Sequence, residues 1–214
     1  MKLIILAAGD SFELNGFNKL LLKNPHTRET ILDQYIRFFK PTSIKIVLGY
    51  KAIDIMNEFP NFDYIINENW QTTGSAYSLY LALNKEPCYV ISSDLFFSKS
   101  LPEKVLNKFD NHICTVKSES KRLTSLNTKV SNNLVNEVYR GRSNKDDFEL
   151  VNFFKIINPD ILNLWKKNCK NNPEAYVGEL LPYSEFEISN ISVDKSDLFE
   201  INTHLDFINY LNKY

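Results

Sequence analysis

The chain is poor in the features that would make it a membrane, secreted, metal-clustered or nucleic-acid-binding protein. No stretch approaches the roughly 18 consecutive apolar residues that a membrane span needs. The apolar start, Leu3 to Leu6, runs into Gly9 too soon for the apolar region and cleavage site of a secretory leader. A cytoplasmic protein without a membrane partner is the expectation. The 25 basic and 26 acidic side chains nearly cancel and are scattered, so no electrostatic footprint for nucleic acid exists and any bound phosphate must be held by a local site. Cys88, Cys114 and Cys169 are odd in number, widely spaced and set among apolar neighbours, which excludes a disulfide framework or a zinc site and marks them as buried small hydrophobes. His26, His112 and His204 share no ligand spacing. No internal repeat and no low-complexity linker divides the chain, and 214 residues suit one domain with a substantial core.

What is present is an alternation of strands and helices. Leu3 to Leu6, Ile44 to Leu48, Tyr64 to Ile66 and Tyr89 to Ser92 are short apolar runs bounded by polar or Gly positions, the signature of buried strands. Between them, Thr30 can cap a helix that buries Ile31, Leu32, Tyr35, Ile36 and Phe39, and Ser75 can open one with Ala76, Leu79, Tyr80 and Leu83 inward. Strand alternating with helix predicts a mostly parallel sheet covered on both faces. After Asp110 the pattern changes. His112 to Lys117 reads as a strand, and Asn127 to Val130 and Leu134 to Arg140 flank Asn132-Asn133, a dipeptide suited to the left-handed conformations of a hairpin turn. Leu150 to Ile157 is another strand, Pro159 to Cys169 and Pro173 to Leu181 read as helices with Pro near each start, and Thr203 to Leu211 as a last helix. The polar segment Gly141 to Asp147 has little to bury and is the expected mobile loop.

Two places carry the candidate chemistry. The first strand runs into Ala7-Ala8-Gly9-Asp10-Ser11, where small side chains let backbone N–H groups face an anion; the same residues would also suit a merely tight turn. Neither a Walker A motif nor GxGxxG is present. Ile91-Ser92-Ser93-Asp94 puts a carboxylate at the carboxyl end of a buried strand, the edge where open α/β sheets bind ligands, with capping of the next turn as the alternative role.

Leu6-Ala7-Ala8-Gly9, followed ten residues later by Lys19-Leu20-Leu21, resembles the opening of the sugar-phosphate and small-headgroup nucleotidyltransferases, whose usual form is LAAGxGxR and then PKxLL. Ser11 and Glu13 stand where that family has its second Gly and its Arg, and Asn18 stands where it has Pro. The segment Asn67-Glu68-Asn69-Trp70-Gln71-Thr72-Thr73-Gly74-Ser75-Ala76-Tyr77-Ser78-Leu79 resembles the stretch before a helix in phosphocholine and aminoethylphosphonate cytidylyltransferases. The resemblance implies a Rossmann-like three-layer α/β/α mixed sheet with a small antiparallel insert, in one domain. Residues 1–110 would form its nucleotide-binding half, 111–200 its acceptor half and 201–214 a C-terminal helix. It implies nucleotide contacts from Leu6, Ala7, Ala8, Gly9, Asp10, Ser11, Lys19, Thr73, Gly74, Ser75 and Ser93. Lys19 would neutralise triphosphate charge. Gly74 would let a flat base approach the backbone, and Ser75 with its helix N-terminus would offer hydrogen bonds. Asp94 would bind Mg²⁺, and Glu200-Ile201-Asn202-Thr203-His204-Leu205-Asp206-Phe207 aligns with an EIDxxEDL-like second metal segment in which Asn202 replaces the Asp. Asp206 suits an early-helix acid as well as a catalytic one. Arg140 and Arg142 are candidates to replace the missing loop Arg at a phosphate, Glu179 and Tyr77 to face the acceptor, and Tyr139, Phe153, Phe154 and Tyr176 to form an aromatic cage for a quaternary ammonium.

The activity so implied is Mg²⁺-dependent transfer of a nucleotidyl group, CMP from CTP foremost, to a small phosphorylated or phosphonate head group for a cell-surface polymer, with release of pyrophosphate. Three other readings share parts of the pattern. A hexose-1-phosphate nucleotidyltransferase would use UTP, GTP or dTTP. A glycosyltransferase of similar fold would want a second acid near Asp94, where Leu95-Phe96 follow instead. A catalytically weakened nucleotide-binding protein is motivated by Glu13 and Asn202. The apolar C-terminal helix either covers the sheet or pairs with a second copy, which makes a homodimer the one protein partner to consider.

Overall fold

The computed structural model describes residues 1–97, 105–117 and 125–213. Parts of both expected halves, and Tyr214 of the C-terminal segment, lie outside the described residues.

The strand β1 (Lys2–Ala7) is buried along its whole length, as a run of apolar residues with no polar alternation requires. Its residues divide between two cores: Leu3, Ile5 and Ala7 pack on one face, Ile4, Leu6 and Ala8 on the other. Parallel pairing sets β2 (Ser43–Leu48) and β4 (Cys88–Ser92) on either side of β1, and β3 (Asp63–Ile66) at the edge beyond β2. Helices α1 (Ile31–Phe39) and α2 (Ala52–Glu58) cover the first face; α3 (Ser75–Ala82) and α4 (Pro159–Asn171) cover the second. Thr30 caps α1 as its sequence suggests: its Oγ1 accepts from the Asp33 amide at 3.0 Å, and the Asp33 carboxylate accepts from the Thr30 amide at 3.0 Å.

The sheet is more mixed than the alternation predicts. Strand β9 (Phe148–Ile156) lies antiparallel between β4 and β6 (His112–Val116), and β6 pairs in parallel with β10 (Ser189–Val193). The hairpin of β7 (Leu126–Ser131) and β8 (Leu134–Arg140) turns through Asn132 and Asn133, both with positive φ, 50° and 64°. This is the expected antiparallel insert, and because β8 bonds to β10 and β7 to β9 it extends one nine-stranded sheet ordered β3-β2-β1-β4-β9-β6-β10-β8-β7. A two-stranded pair, β5 (Leu95–Phe97) with β11 (Leu198–Glu200), stands apart and leads into α5 (His204–Lys213), whose Tyr210 stacks on Phe96.

The expected helix from Pro173 to Leu181 shortens to a single 3-10 turn, Val177–Leu180. Its first residues are committed elsewhere. The carbonyls of Pro173 and Ala175 accept from Gly74 at 2.8 Å and Ala76 at 3.2 Å, which fastens this segment across the start of α3. Cys88, Cys114 and Cys169 are free and buried, and burial pushes the Cys88 and Cys169 thiols up to about 12. No helix among the described residues is long and apolar enough to cross a membrane.

Candidate active site

A cavity of about 810 Å³ opens at the carboxyl ends of β1 and β4. The turn after β1 lines one side through Leu6, Ala8, Gly9, Asp10 and Ser11, while Ala7 points into the opposite core. A Cβ built on Gly9 would meet nothing within 4 Å and would project into open space. Beyond the turn the chain makes two 3-10 turns, Phe12–Leu14 and Lys19–Leu21, the first closed by the Leu14 and Gly16 amides on the Ser11 carbonyl. Glu13 is exposed on the first and takes no part in the cavity wall. Asn18 begins the second and does by hydrogen bonding what a proline does by stiffness: its Oδ1 accepts from the Leu20 amide at 3.1 Å and caps the turn that carries Lys19.

Lys19 is the hub of the site. Its Nζ donates to Asn202 Oδ1 at 2.8 Å and lies 3.3 Å from Asp94 Oδ2, with only 13% and 16% of the Lys19 and Asp94 side chains exposed. The other carboxylate oxygen of Asp94 accepts from Ser92 Oγ at 2.6 Å, which turns Oδ2 toward Lys19. Glu200 Oε1 in turn accepts from Asn202 Nδ2 at 2.8 Å, turning the amide oxygen inward. Crowding away from solvent and the negative charge of Asp94 push the Glu200 carboxyl up, although Glu200 retains an exposed face. Asp206 serves the helix: its Oδ2 accepts from the Asn202 and Thr203 amides at 3.1 and 2.8 Å, and Thr203 Oγ1 accepts from the Asp206 amide.

The oxygens of Asp94 and Asn202 converge on one cation, the Lys19 ammonium. That donor set, a carboxylate and an amide oxygen with a second carboxylate beside them, suits a hard divalent ion such as Mg²⁺. No group of three or more His, Cys, Asp and Glu that could hold a metal occurs among the described residues; Asn202, an amide, shares Lys19 with Asp94 and stands beside Glu200.

The opposite wall comes from the segment before α3. Asn67, 1% exposed, is fixed by bonds to Thr73 Oγ1 and Ser78 Oγ, each 3.1 Å, and accepts from the Asn69 amide at 3.0 Å. Trp70, Thr73, Gly74, Ser75 and Ser78 line the cavity, as does Ser93 across from them. Gly74 is required for a reason other than base stacking. A Cβ there would lie 2.3 Å from the Ala175 carbonyl oxygen and 2.5 Å from that of Glu174, so the glycine lets two backbone segments cross. Ser75 Oγ is likewise engaged, accepting from the Val177 amide at 2.9 Å.

Arg140 also lines the cavity, donates to Glu179 Oε2 at 2.8 Å and lies over the Tyr176 ring, 4.4 Å from its centroid. Arg142 is exposed and not part of the wall, and Tyr77 packs on Tyr80 outside it. The four-aromatic cage does not assemble. Phe153 and Phe154 are neighbours on a strand and point to opposite faces, Phe153 toward Phe39 and Phe154 into the second core against Trp165, behind the cavity wall, while Tyr139 hydrogen-bonds to Asp147. Asn67, Trp70 and Asn152 are wall residues to which the sequence reading assigned no role, whereas Tyr176, a candidate for the cage, does line the wall; Asn152, polar between Val151 and Phe153, was a readable signal.

No protein-family model and no curated protein matches this chain. Solved structures do. The CTP:phosphocholine cytidylyltransferase from Streptococcus pneumoniae superposes with a TM-score of 0.78 at 16% identity, covering 99% of this chain and 98% of that one. The inositol-1-phosphate CTP transferase from T. maritima gives 0.73 at 15% identity over 99% and 95%. A putative glucose-1-phosphate thymidylyltransferase from Bacillus anthracis gives 0.73 at 17% over 100% and 94%. The chain has, from end to end, the α/β fold of these nucleotidyltransferases.

Proposed function

We propose that this protein is a Mg²⁺-dependent nucleotidyltransferase that transfers CMP from CTP to a small phosphorylated or phosphonate head group and releases pyrophosphate. The observation that carries the reading is the convergence of Lys19, Asp94 and Asn202 from three distant parts of the chain, with Lys19 and Asp94 in the wall of a cavity that the Ala8–Ser11 turn also lines. The triphosphate lies along that turn, with its charge met by Lys19. Asp94 and Asn202, with Glu200 beside them, would hold Mg²⁺, which supplies positive charge at the phosphates. The wall built on Asn67, Thr73 and Ser78 offers the polar groups that a base edge needs, and Trp70 offers an apolar flank.

In the reaction, an oxygen of the acceptor phosphate attacks the α-phosphorus in line. The bond from that phosphorus to the bridging oxygen breaks, and pyrophosphate departs with the electron pair. An acceptor phosphate is already anionic, so no protein nucleophile or strong general base is required. Positioning and charge neutralisation carry the catalysis. Arg140, set in the cavity wall on Glu179 and Tyr176, orients the acceptor. CTP is favoured because residues 67 to 79 resemble cytidylyltransferases and two of the three superposed enzymes are named for CTP chemistry. Hexose 1-phosphates with UTP, GTP or dTTP remain the nearest competing substrates.

The test is pyrophosphate release from each nucleoside triphosphate with Mg²⁺ and a panel of phosphocholine, phosphonates, polyol phosphates and hexose 1-phosphates. Release with CTP and one head-group phosphate, abolished by Asp94→Ala, is the expected result. Turnover that survives Asp94→Ala would sink the assignment of the site, and turnover confined to a hexose phosphate would replace the head-group reading.

A further inference from the structure

Two side chains of α1 reach through the core to a place that has nothing to do with packing the helix. Tyr35, fully buried, donates from its hydroxyl to the Ser92 carbonyl at 2.8 Å and accepts from the Leu95 amide at 3.1 Å. Its neighbour Gln34, 6% exposed, donates to the Phe97 carbonyl at 3.2 Å and accepts from the Phe97 amide at 3.1 Å. Four hydrogen bonds therefore bracket the backbone on both sides of Asp94. The Tyr35 pair falls where the main chain leaves the large sheet at Ser92 and enters the small one at Leu95, and the Gln34 pair holds the far end of that small strand at Phe97. Burial raises the Tyr35 phenol well above its ordinary value, so the hydroxyl keeps its proton and holds both bonds.

The same strand carries the other half of the cation seat. Strand β5 pairs with β11 in the register Leu95↔Glu200, and the Ile201 amide donates to the Asp94 carbonyl at 2.9 Å. Asn202 follows directly. The position of Asn202 relative to Asp94 is thus set by one short ladder, and that ladder is anchored to the body of the protein through Gln34 and Tyr35.

We propose that Gln34 and Tyr35 are positioning residues: a buried clamp that fixes the gap between Asp94 and Asn202 and so sets the affinity of the seat for a divalent cation. The proposal rests on the nucleotidyltransferase reading of that seat. A core tyrosine chosen only for packing would be replaceable by phenylalanine. Here the ring already has its apolar partners in Phe39 and Phe97, and the hydroxyl has a separate task. The clamp touches neither the Gly9 turn nor the wall at Asn67, so its loss should loosen the seat more than the nucleotide contacts, of which Ser93 and Lys19 adjoin it.

The experiment titrates Mn²⁺ into the full chain at saturating CTP, and CTP into the chain in EDTA, both by calorimetry. Tyr35→Phe and Gln34→Leu are compared with Ile161→Val, a methyl deletion in the core on the other face of the sheet that serves as a stability control. Each clamp variant is expected to weaken Mn²⁺ about tenfold while CTP affinity in EDTA stays within about twofold and the folded fraction stays complete. Ile161→Val should leave both unchanged. Equal Mn²⁺ affinity in Tyr35→Phe and the parent, or an equal loss in Ile161→Val, overturns the clamp while leaving the enzyme reading in place. Absence of CTP-dependent Mn²⁺ binding in the parent overturns the seat itself, and the clamp with it.

Discussion

Replacing Lys19 by methionine keeps the aliphatic stem and removes the charge on which the site is centred. At 3.3 Å, and with an effective dielectric of about 20, the ammonium and the Asp94 carboxylate attract by on the order of 5 kcal/mol. Desolvation of two mostly covered groups offsets much of that, so the intact pair contributes far less than the gross figure. Breaking it is a different matter, because Asp94 is then left beside Glu200 with no cation. Removing one partner of such a pair costs about 3 kcal/mol, the lower end of the range for buried ion pairs and appropriate where both side chains keep some exposure. For a domain of this size the loss corresponds to a fall in Tm of about 6–12 °C at pH 8. Two further readings of the same melt test the cause. The gap from the parent should narrow at pH 5, where the raised Glu200 carboxyl takes up a proton and relieves the repulsion. Added Mg²⁺ should raise the Tm of Lys19→Met more than that of the parent, because the ion takes the oxygens that the ammonium has left. A variant that melts within 2 °C of the parent at pH 8, or that ignores both pH and Mg²⁺, would show that Lys19 does not organise these acids.

The raised carboxyl of Glu200 makes a signed prediction of its own. A group that binds its proton more tightly when folded contributes stability that is full below its unfolded value and is lost as pH rises through the folded one, so Glu200→Gln should raise the Tm at pH 8 and leave it unchanged at pH 4 without metal. Gly74→Ala forces a methyl against the Glu174 and Ala175 carbonyl oxygens; chemical denaturation should show a loss of at least about 1–3 kcal/mol, the usual cost of overpacking. Arg140→Ala should raise KM for the acceptor while nucleotide KM and Tm stay near the parent values, since its ion pair with Glu179 is nearly half exposed and a surface pair contributes about 0–1 kcal/mol. Equal weakening of nucleotide and acceptor would place Arg140 on the triphosphate instead.

The sequence speaks most clearly where one residue type performs a local task. The apolar run Leu3 to Leu6 of β1, the Thr30 cap and the Asn132-Asn133 turn act within a few residues of themselves, and these, like the carboxylate after β4, stand in the structure where their patterns place them. Long-range pairing is where the text falls silent. Strands β5 and β11 are three residues each and far apart in sequence, so neither has enough period to be read, yet their pairing joins Asp94 to Asn202. Gly74 shows a subtler limit. The residue is visibly special, but whether it admits a base or a crossing backbone depends on Glu174 and Ala175, which only the fold brings near. Phe153 and Phe154 make the same point for composition: two adjacent aromatics on a strand serve opposite faces and cannot share a cage.

The anchoring of the cation seat by the β5–β11 ladder also bears on how the protein comes into being. Lys19 and Asn202 lie 183 residues apart, and the ladder that sets the second of them forms only after β11 has emerged from the ribosome. Until that point Lys19 has Asp94 for a partner and lacks Asn202. Proteolysis between Val193 and Leu198 that lets the tail diffuse away would remove Glu200 and Asn202 from beside Lys19 and Asp94 while leaving every residue of the cavity wall in the chain.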